Sequence, residues 1–356
     1  MGRASRRVVI LVAAGVLAAG PGGMAATGAA AAVPATGQAS AALTLSSNPV
    51  LFGVSAVSGS DVWAVGRQNS TGVFKTLILH WNGTAWSKVN SPSPSLADAE
   101  LMGVSAVSGS DAWAVGWYWN RTGTATDTLI LHWNGTAWTQ VNSPTAPRYT
   151  DFGLTGVSAV SGSDAWAVGV RGVPSDGRKS GTLIFHWDGT AWTLVNSPSP
   201  GSGPNQLEGV SAVSGSDADA WAVGNYSSLD NPGASRTLVL HWNGTAWSKI
   251  NSPTPNPNDL NFLQGVSARS GSDAWAVGNY WNTTGLSRSL ILHWNGTAWS
   301  KINSPNPGPN ANRLSGVSAR SGSDAWAVGD HDTAVSTTNS LILHWNGTAW
   351  ANALAG

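Results

Sequence analysis

Six aspartates and six histidines recur along the chain at matched positions, and their side chains are the ones that could support chemistry. Each aspartate ends a Ser-Gly-Ser-Asp stretch, and a histidine follows it 19 to 24 residues later. Carboxylates can act in acid–base catalysis, and imidazoles can do so or bind a metal ion. The aspartates are Asp61, Asp111, Asp164, Asp217, Asp273 and Asp324, and the histidines are His80, His132, His186, His241, His293 and His344.

The sixfold repetition of these residues favours a structural role. One catalytic or metal site needs one constellation, whereas six equivalent aspartates in six turns are typical of side chains that accept backbone N–H groups. Each histidine is expected on a third strand, about 15 Å from a central axis. Six such histidines are too far apart to share a metal ion with ligands at about 2 Å. We therefore predict structural aspartates, no metal and no cofactor.

These residues belong to a segment that occurs six times. A stretch such as "GVSAVSGSDAWAVG" is followed each time by one like "TLILHWNGTAW", and the fourth copy carries a two-residue insertion, "SGSDADAWAVG". Each copy contains four short strand patterns separated by turn residues, and Asn-Gly favours a type I′ hairpin turn. The pattern predicts an all-β, six-bladed β-propeller with four antiparallel strands per blade. A β-solenoid is the alternative, although solenoid repeats are usually shorter.

The tryptophans fit this architecture. Three in each copy account for 18 of the 21 in the chain. Large flat side chains are expected to fill the space between neighbouring blades, where burial of one tryptophan removes about 150–250 Å² from water. We therefore predict that the repeat tryptophans form the core and that the six blades close into one disc.

The N-terminal region has the composition of a secretory signal peptide outside the fold. A basic start precedes an apolar run from Val8 to Ala19 and several Ala-x-Ala sites. A retained membrane anchor is the alternative, and the export route stays open between general secretion and twin-arginine export. We predict a signal peptide over 1–32, a linker over 33–41 and a propeller over 42–356. The repeats are predicted at 51–100, 101–153, 154–206, 207–262, 263–313 and 314–356. The mode of closure stays open between a last blade completed by a strand from 42–50 and one that ends with its own strands.

The repeat "LMGVSAVSGSDAWAVG…LILHWNGTAW" resembles three families of propeller repeats over 51–350. It is similar to tectonin-type lectin repeats in its Gly-Ser-Asp turn and Trp-containing strand, and to kelch repeats in the glycine of "AWAVG". "HWNGTAW" resembles the Asp-box turn of sialidases and photosystem assembly factors, with asparagine in place of the aspartate in five copies and Asp188 in one. The resemblance implies a propeller, in families that include enzymes, lectins and scaffolds.

Catalytic motifs are scarce. Glycoside hydrolysis usually needs two carboxylates beside one bond, and the chain has two glutamates, Glu100 and Glu208, both expected in the connections that lead from one copy of the strand pattern to the next. There is no cysteine, so a thiolate nucleophile or a Tyr–Cys cofactor is excluded. A formal net charge of zero gives no electrostatic reason to expect nucleic acid or an anionic membrane as partner. We predict a protein that is not an enzyme.

The connections divide the disc into two faces. The first and third connections of each repeat are short and nearly invariant, whereas the second and fourth vary and contain the aromatic residues outside the core pattern. Aromatic residues gathered on one loop face indicate a binding surface, unless the loops bury them against the disc. The candidate ligand-binding residues are Trp117, Tyr118, Trp119, Tyr226, Tyr280 and Trp281.

These features predict a secreted, monomeric binding module whose loop face takes an extracellular glycan or a protein. The sequence does not decide between sugar and protein. The alternatives are an extracellular glycan-processing hydrolase of the sialidase-like propeller type and a purely structural cell-surface scaffold.

Overall fold

The computed structural model describes residues 45, 49–94, 97–144, 151–172, 180–213, 219–334 and 337–354. These residues form strands and turns, and no helix among them is long and apolar enough to cross a membrane. The predicted signal peptide (1–32) and linker (33–41) lie outside the described residues, so they stay predictions.

The strands form six four-stranded antiparallel sheets, each paired in sequence order, which confirms the predicted six-bladed β-propeller. We number the sheets as blades one to six. Blade one comprises β1 (Val50–Ser58), β2 (Asp61–Ser70), β3 (Val73–Trp81) and β4 (Trp86–Val89); blade two comprises β5 (Ala99–Ser108), β6 (Asp111–Trp119), β7 (Thr126–Trp133) and β8 (Trp138–Gln140); blade three comprises β9 (Phe152–Ser161), β10 (Asp164–Arg171), β11 (Gly181–Trp187) and β12 (Trp192–Leu194). Blade four comprises β13 (Asn205–Ala212), β14 (Ala220–Ser228), β15 (Asn231–Trp242) and β16 (Trp247–Ile250); blade five comprises β17 (Asn261–Ser270), β18 (Asp273–Trp281), β19 (Ser287–Trp294) and β20 (Trp299–Ile302); blade six comprises β21 (Asn312–Ser321), β22 (Asp324–Asp332), β23 (Thr338–Trp345) and β24 (Trp350–Asn352).

The turn between the third and fourth strands differs from the predicted type I′ turn. In blade two, Gly135 has φ +91°, and Thr71 is the only non-glycine with positive φ among the described residues. Asn134 instead caps the turn, because its Oδ1 accepts the amides of Thr136 and Ala137, each at 3.0 Å. The type I′ prediction was therefore wrong, and the asparagine contributes a side-chain acceptor rather than a positive φ.

The hydrophobic core lies between neighbouring blades, and a similar buried cluster occurs at each of the five junctions. Each blade has a forward face, defined in blade one by Trp63, Val65 and Ile78, and a rear face, defined in blade two by Leu101 and Trp138. These two faces pack together in one buried cluster. The forward-face Trp63 ring meets the edge of Trp138, with ring centroids 5.2 Å apart. Equivalent clusters join blades two to three, three to four, four to five and five to six.

The innermost strands approach each other through glycine. A Cβ added to Gly53 would lie 3.1 Å from the Cα of Gly103 in the next blade, and the same close approach recurs up to Gly265, which faces Gly316. Side chains larger than hydrogen would separate the inner strands here. At Gly316 the series stops, because the only atom near its added Cβ is a side-chain carbon of Val328 in the same blade.

The predicted closed disc was therefore wrong for the described residues, because blades six and one do not meet as the other blades do. The forward-face tryptophan is 0–3% exposed in blades one to five, whereas Trp326 of blade six is 37% exposed. On the rear face of blade one, Trp86 is half-buried, although its equivalents in the other five blades are buried. Six blades close into a ring only if each blade is rotated by about a sixth of a circle relative to the preceding one. The blades form an open arc.

The segment predicted to complete the last blade makes a different contact. Blade six already has four strands of its own. Within 42–48 only residue 45 is described, and Leu45 packs against the rear face of blade one, beside Leu51 and Trp86. The predicted strand on the last blade is thus not seen among the described residues, and Val50 opens β1 instead.

Candidate functional site

The repeated aspartates and histidines meet within each blade. The histidine Nε2 lies 2.7–3.0 Å from an aspartate Oδ1 in all six blades. In blade four the partner of His241 is Asp219, whereas the predicted Asp217 lies outside the described residues. The two-residue insertion shifts the functional aspartate by two positions, which the motif alone could not reveal. The other predicted aspartates, Asp61, Asp111, Asp164, Asp273 and Asp324, each bond the histidine of their own blade.

Each pair is held against the core and is arranged for structure. In blade three, the His186 ring lies on the buried Trp166 with ring centroids 4.3 Å apart, and its Nε2 faces Asp164 at 2.9 Å. The bond ties the start of the second strand to the end of the third. Among the described residues, no group of three or more acidic, histidine or cysteine side chains is placed to hold a metal ion.

Three of the six candidate aromatics occupy one equivalent position in their blades. Tyr118, Tyr226 and Tyr280 pair with the first residue of the neighbouring inner strand, and each packs half-buried against the junction with the preceding blade. A cation or amide from the fourth strand contacts the ring: Lys301 Nζ donates to Tyr280 Oη at 3.1 Å and lies 4.7 Å from its ring centroid. Burial, and next the charge of Asp127, raises the pKa of Tyr118.

The three tryptophans lie at the same end of the second strands. Trp117 points toward blade three, where a Cβ added to Gly153 would lie 3.8 Å from its ring. Trp281 meets the edge of Phe262, with centroids 6.0 Å apart, and Trp119 donates its backbone N–H to Asp98. All three side chains are half-buried. The candidate aromatic side chains are therefore neither fully exposed for binding nor fully buried against the disc, because every candidate ring is partly packed and partly accessible.

A concave site occurs on the loop face of blade four. A cavity of about 280 Å³ opens beside the ring of Tyr226 and the exposed side chains of Arg236 and Asn231. The link between blades three and four contributes Ser202, whose hydroxyl lies 3.0 Å from that of Ser228. The remaining lining residues are Pro200, Gly201, Ser227, Ala234 and Pro257.

Sequence reasoning selected only part of this site. Tyr226 is among the predicted ligand-binding residues, whereas Arg236 is not. Ser202, Ser228 and Asn231 were missed, because serine and asparagine fill most connections of this chain and no spacing distinguishes these three. The structure places the other candidates on blades two and five, on β6 and β18, rather than around this cavity.

The two glutamates are engaged in contacts between and within blades. Glu100 is buried and paired with Arg67 of blade one, whose guanidinium lies 4.0 Å from the centroid of the Phe74 ring. Burial raises the pKa of Glu100 from its usual value, and the Arg67 charge opposes that shift. Glu208 accepts a hydrogen bond from Gln206 at 2.8 Å. The Glu100 pair joins blades one and two.

Comparison with known structures identifies the fold. No protein-family model matches the sequence, and no curated protein matches it either. The structure is similar to YCF48 bound to a D1 peptide, with 14% identity and a TM-score of 0.52 over 88% of this chain and 84% of that one. It is also similar to an ulvan lyase, a polysaccharide lyase solved with a bound saccharide, with 9% identity and a TM-score of 0.51 over 85% and 79% of the two chains. A fucose-binding lectin from Aleuria aurantia has 12% identity and a TM-score of 0.48 over 84% and 93%. The resemblance to photosystem assembly factor propellers is confirmed for the fold, and the likeness to kelch and tectonin repeats stays a prediction.

Proposed function

We propose that the loop face of this propeller binds an extracellular glycan and that the blade-four cavity is its principal site. The observation that carries the proposal is the convergence of the Tyr226 ring with the exposed Arg236 and Asn231 side chains around about 280 Å³. Sugars stack their C–H faces on aromatic rings and bond to amide, hydroxyl and guanidinium groups. A cavity of this size suits one sugar unit of a longer chain.

The aromatics on blades two and five extend the proposed surface. Trp117 and Trp281 lie at the loop-face ends of their strands and retain accessible area. A few large rings usually carry most of the free energy of an interface. We expect these two tryptophans to contact further units of an extended glycan, with Tyr118, Trp119 and Tyr280 supporting them.

We further propose that binding is not accompanied by hydrolysis. In the part of the chain that the structure describes, Glu100 is buried with Arg67, and Glu208 lies within blade four beside Gln206. Glycoside hydrolysis usually needs two Asp or Glu carboxylates about 5–9.5 Å apart around one bond, and none of the described residues that line the blade-four cavity carries a carboxylate. The test is incubation with any bound polysaccharide, with assay of new reducing ends; their appearance would contradict this proposal.

A glycan array tests the binding proposal directly. The full chain is compared with Tyr226→Ala and Arg236→Ala, and with Ser248→Ala as a control at an exposed position on the outer strand of the same blade, outside the lining of the cavity. We expect a loss of affinity of about tenfold or more for the first two variants and little change for the control. Unchanged binding in both blade-four variants would remove the cavity from the site. Capture of a protein with no glycan bound would contradict the proposed ligand class.

Secretion is part of the same proposal. The basic and apolar N-terminal pattern supports it, and N-terminal sequencing of protein recovered from the culture medium tests it. A chain that stays inside the cell with its first residues intact would contradict it.

A further inference from the structure

Five turns of the chain have one sequence and one chemically reactive pair of residues. Each joins the third strand of a blade to the fourth, and its sequence is His-Trp-Asn-Gly-Thr-Ala-Trp in every blade except blade three. An asparagine followed by glycine is reactive, because the glycine nitrogen can approach the side-chain carbonyl carbon without interference from a Cβ atom. All five asparagines are exposed to solvent. They are Asn82, Asn134, Asn243, Asn295 and Asn346.

Hydrogen-bond donors surround the carbonyl oxygen of these side chains. In blade two, Asn134 Oδ1 accepts bonds from the amides of Thr136 and Ala137, each at 3.0 Å, and from the Thr136 hydroxyl at 2.7 Å. The equivalent three donors serve the asparagines of blades four, five and six. Donors at such distances stabilise the negative charge that develops on an oxygen when a nucleophile attacks its carbon. Among the described residues, none bonds to the amide N–H of the adjoining glycine, so that nitrogen is free to react.

Blade three shows how the turn accommodates the product of such an attack. It carries Asp188 in place of the asparagine, and the carboxylate accepts the same three bonds. The amide and hydroxyl of Thr190 lie at 2.8 and 2.6 Å, and the amide of Ala191 lies at 2.9 Å. The Thr190 hydroxyl first, and then the two amides, lower the pKa of Asp188 to about 2. A carboxylate formed at the other five turns would therefore meet donors that are already in place.

We propose that these five turns are sites of spontaneous asparagine deamidation, promoted by the hydrogen-bond donors of the folded turn. The glycine nitrogen attacks the asparagine Cγ. The bond between that nitrogen and Cγ forms, the bond between Cγ and Nδ2 breaks, and Nδ2 leaves as ammonia with the proton of the glycine amide. Water then opens the resulting succinimide ring and yields aspartate or isoaspartate.

The reaction changes the charge of one face of the propeller. A Cβ added to Gly83 would lie 2.7 Å from the Cβ of Ser60, so the reactive turn of blade one lies beside its first turn, on the face opposite the loop face. The same contact joins Gly135 to Ser110 in blade two. Conversion of all five asparagines adds five negative charges to a chain whose formal net charge is zero. Because the loop face is a separate surface, this inference does not depend on the proposed glycan site.

Two asparagines provide controls within the same chain. Asn82 has the same neighbours in sequence as the other four, but among the described residues it accepts bonds from two backbone amides only, each at 3.0 Å. Asn282 accepts three bonds, from the amide and hydroxyl of Thr284 and from the amide of Leu286, yet a threonine follows it. The first control lacks one donor, and the second lacks the glycine.

The test incubates the full chain at mildly alkaline pH and follows each asparagine by peptide mapping with mass spectrometry, which counts aspartate and isoaspartate together. We expect the asparagines of blades two, four, five and six to convert about threefold faster or more than Asn82, because they have the third donor. Asn282 should stay unchanged. Thr136→Val should slow Asn134 to the rate of Asn82 and leave Asn243 unaffected. No conversion, equal rates at Asn82 and the other four, or conversion of Asn282 overturns the proposal.

The same measurement in concentrated urea separates the fold from the local sequence. The five asparagines lie in identical stretches of seven residues, so their rates should become equal once the chain is unfolded. We expect the four turns with three donors to convert at least as fast in the folded chain as in urea. Slower conversion in the folded chain would show that the turn protects its asparagine and would overturn the proposal. A difference between Asn82 and the other four that persists in urea overturns it as well.

Discussion

Trp166 and Trp326 occupy the same position in nearly identical sequences, yet one is 3% exposed and the other 37%. Both rings lie on the histidine of their own blade, with centroids 4.3 and 4.2 Å apart. Only Trp166 also meets two tryptophans of the next blade, Trp242 and Trp247, at 5.0 and 5.2 Å. The contacts within a blade are therefore set by its own repeat, whereas burial is set by the repeat that follows.

The largest expected effect comes from truncating these two tryptophans. Trp166→Ala should lower the free energy of unfolding by about 3–5 kcal/mol, because it leaves a cavity between blades three and four. Trp326→Ala should lower it by about 1 kcal/mol or less, since no described residue of a following blade packs against its outer side. Urea denaturation followed by circular dichroism measures both. Equal losses would show that the intrablade contact with histidine, rather than the next blade, determines the stability.

The next largest effect concerns the aspartate that each blade uses. Asp219→Ala should destabilise by about 1–2 kcal/mol, because it removes the 2.7 Å bond to His241 at a partly buried site. Asp217→Ala should change the stability by less than about 0.5 kcal/mol. Thermal or urea melts of the two variants decide between them. A larger effect at Asp217 would show that motif position, and not the contact, selects the aspartate.

A smaller effect is expected at the rim. Trp119→Ala should cost less than about 1 kcal/mol, because this side chain is half-buried at the loop end of β6. Trp113→Ala, in the same strand but buried in the junction with blade three, should cost about 3–5 kcal/mol. Urea melts of the pair measure how far the junction extends along the strand. Comparable losses would place Trp119 in the core.

The sequence was sufficient for most of what lies within one repeat. The four strands, their order and the core role of Trp113 or Trp275 follow from residue types at fixed spacing, because hairpin pairing is local. The Asp–His bond, the asparagine-capped turn and the use of Asp219 in blade four were not predicted, because they depend on side-chain placement. Closure of the ring could not be predicted in this way. Closure depends on the angle by which each blade is rotated relative to the preceding one. That angle arises from side-chain packing between inner strands that carry glycines such as Gly53 and between the tryptophan-lined faces. A small change in the angle, summed over five junctions, determines whether blade six reaches blade one.

The candidate site was predicted less well than the fold for a related reason. Aromatic type and loop position selected Tyr226 correctly as a lining residue of the cavity. The cavity itself depends on how the link carrying Ser202 lies against Ser228, two residues from different connections. Tyr280 is equivalent in sequence and register, and both rings have a fourth-strand lysine over them, Lys249 at 5.6 Å from the Tyr226 centroid and Lys301 at 4.7 Å from the Tyr280 centroid. Composition alone therefore does not separate the tyrosine that lines this cavity from its equivalent in blade five.

The smallest expected effect is a pH dependence specific to blade three, where Asp188 stands at the turn that carries asparagine in the other blades. Hydrogen bonds from the Thr190 hydroxyl and from the amides of Ala191 and Thr190 lower the Asp188 pKa to about 2 from 3.8. A carboxyl group whose pKa falls on folding stabilises the folded state above the unfolded pKa and loses that contribution as the pH falls through the folded pKa. The parent chain should therefore lose stability relative to Asp188→Asn between about pH 4 and pH 2. The reverse change, Asn243→Asp in blade four, should introduce the same dependence, because Asn243 accepts the equivalent bonds. Thermal melts of the three proteins at pH 6 and pH 2 measure this pH dependence. An equal change in melting temperature in all three proteins would show that the turn does not distinguish an ionised acceptor from an amide.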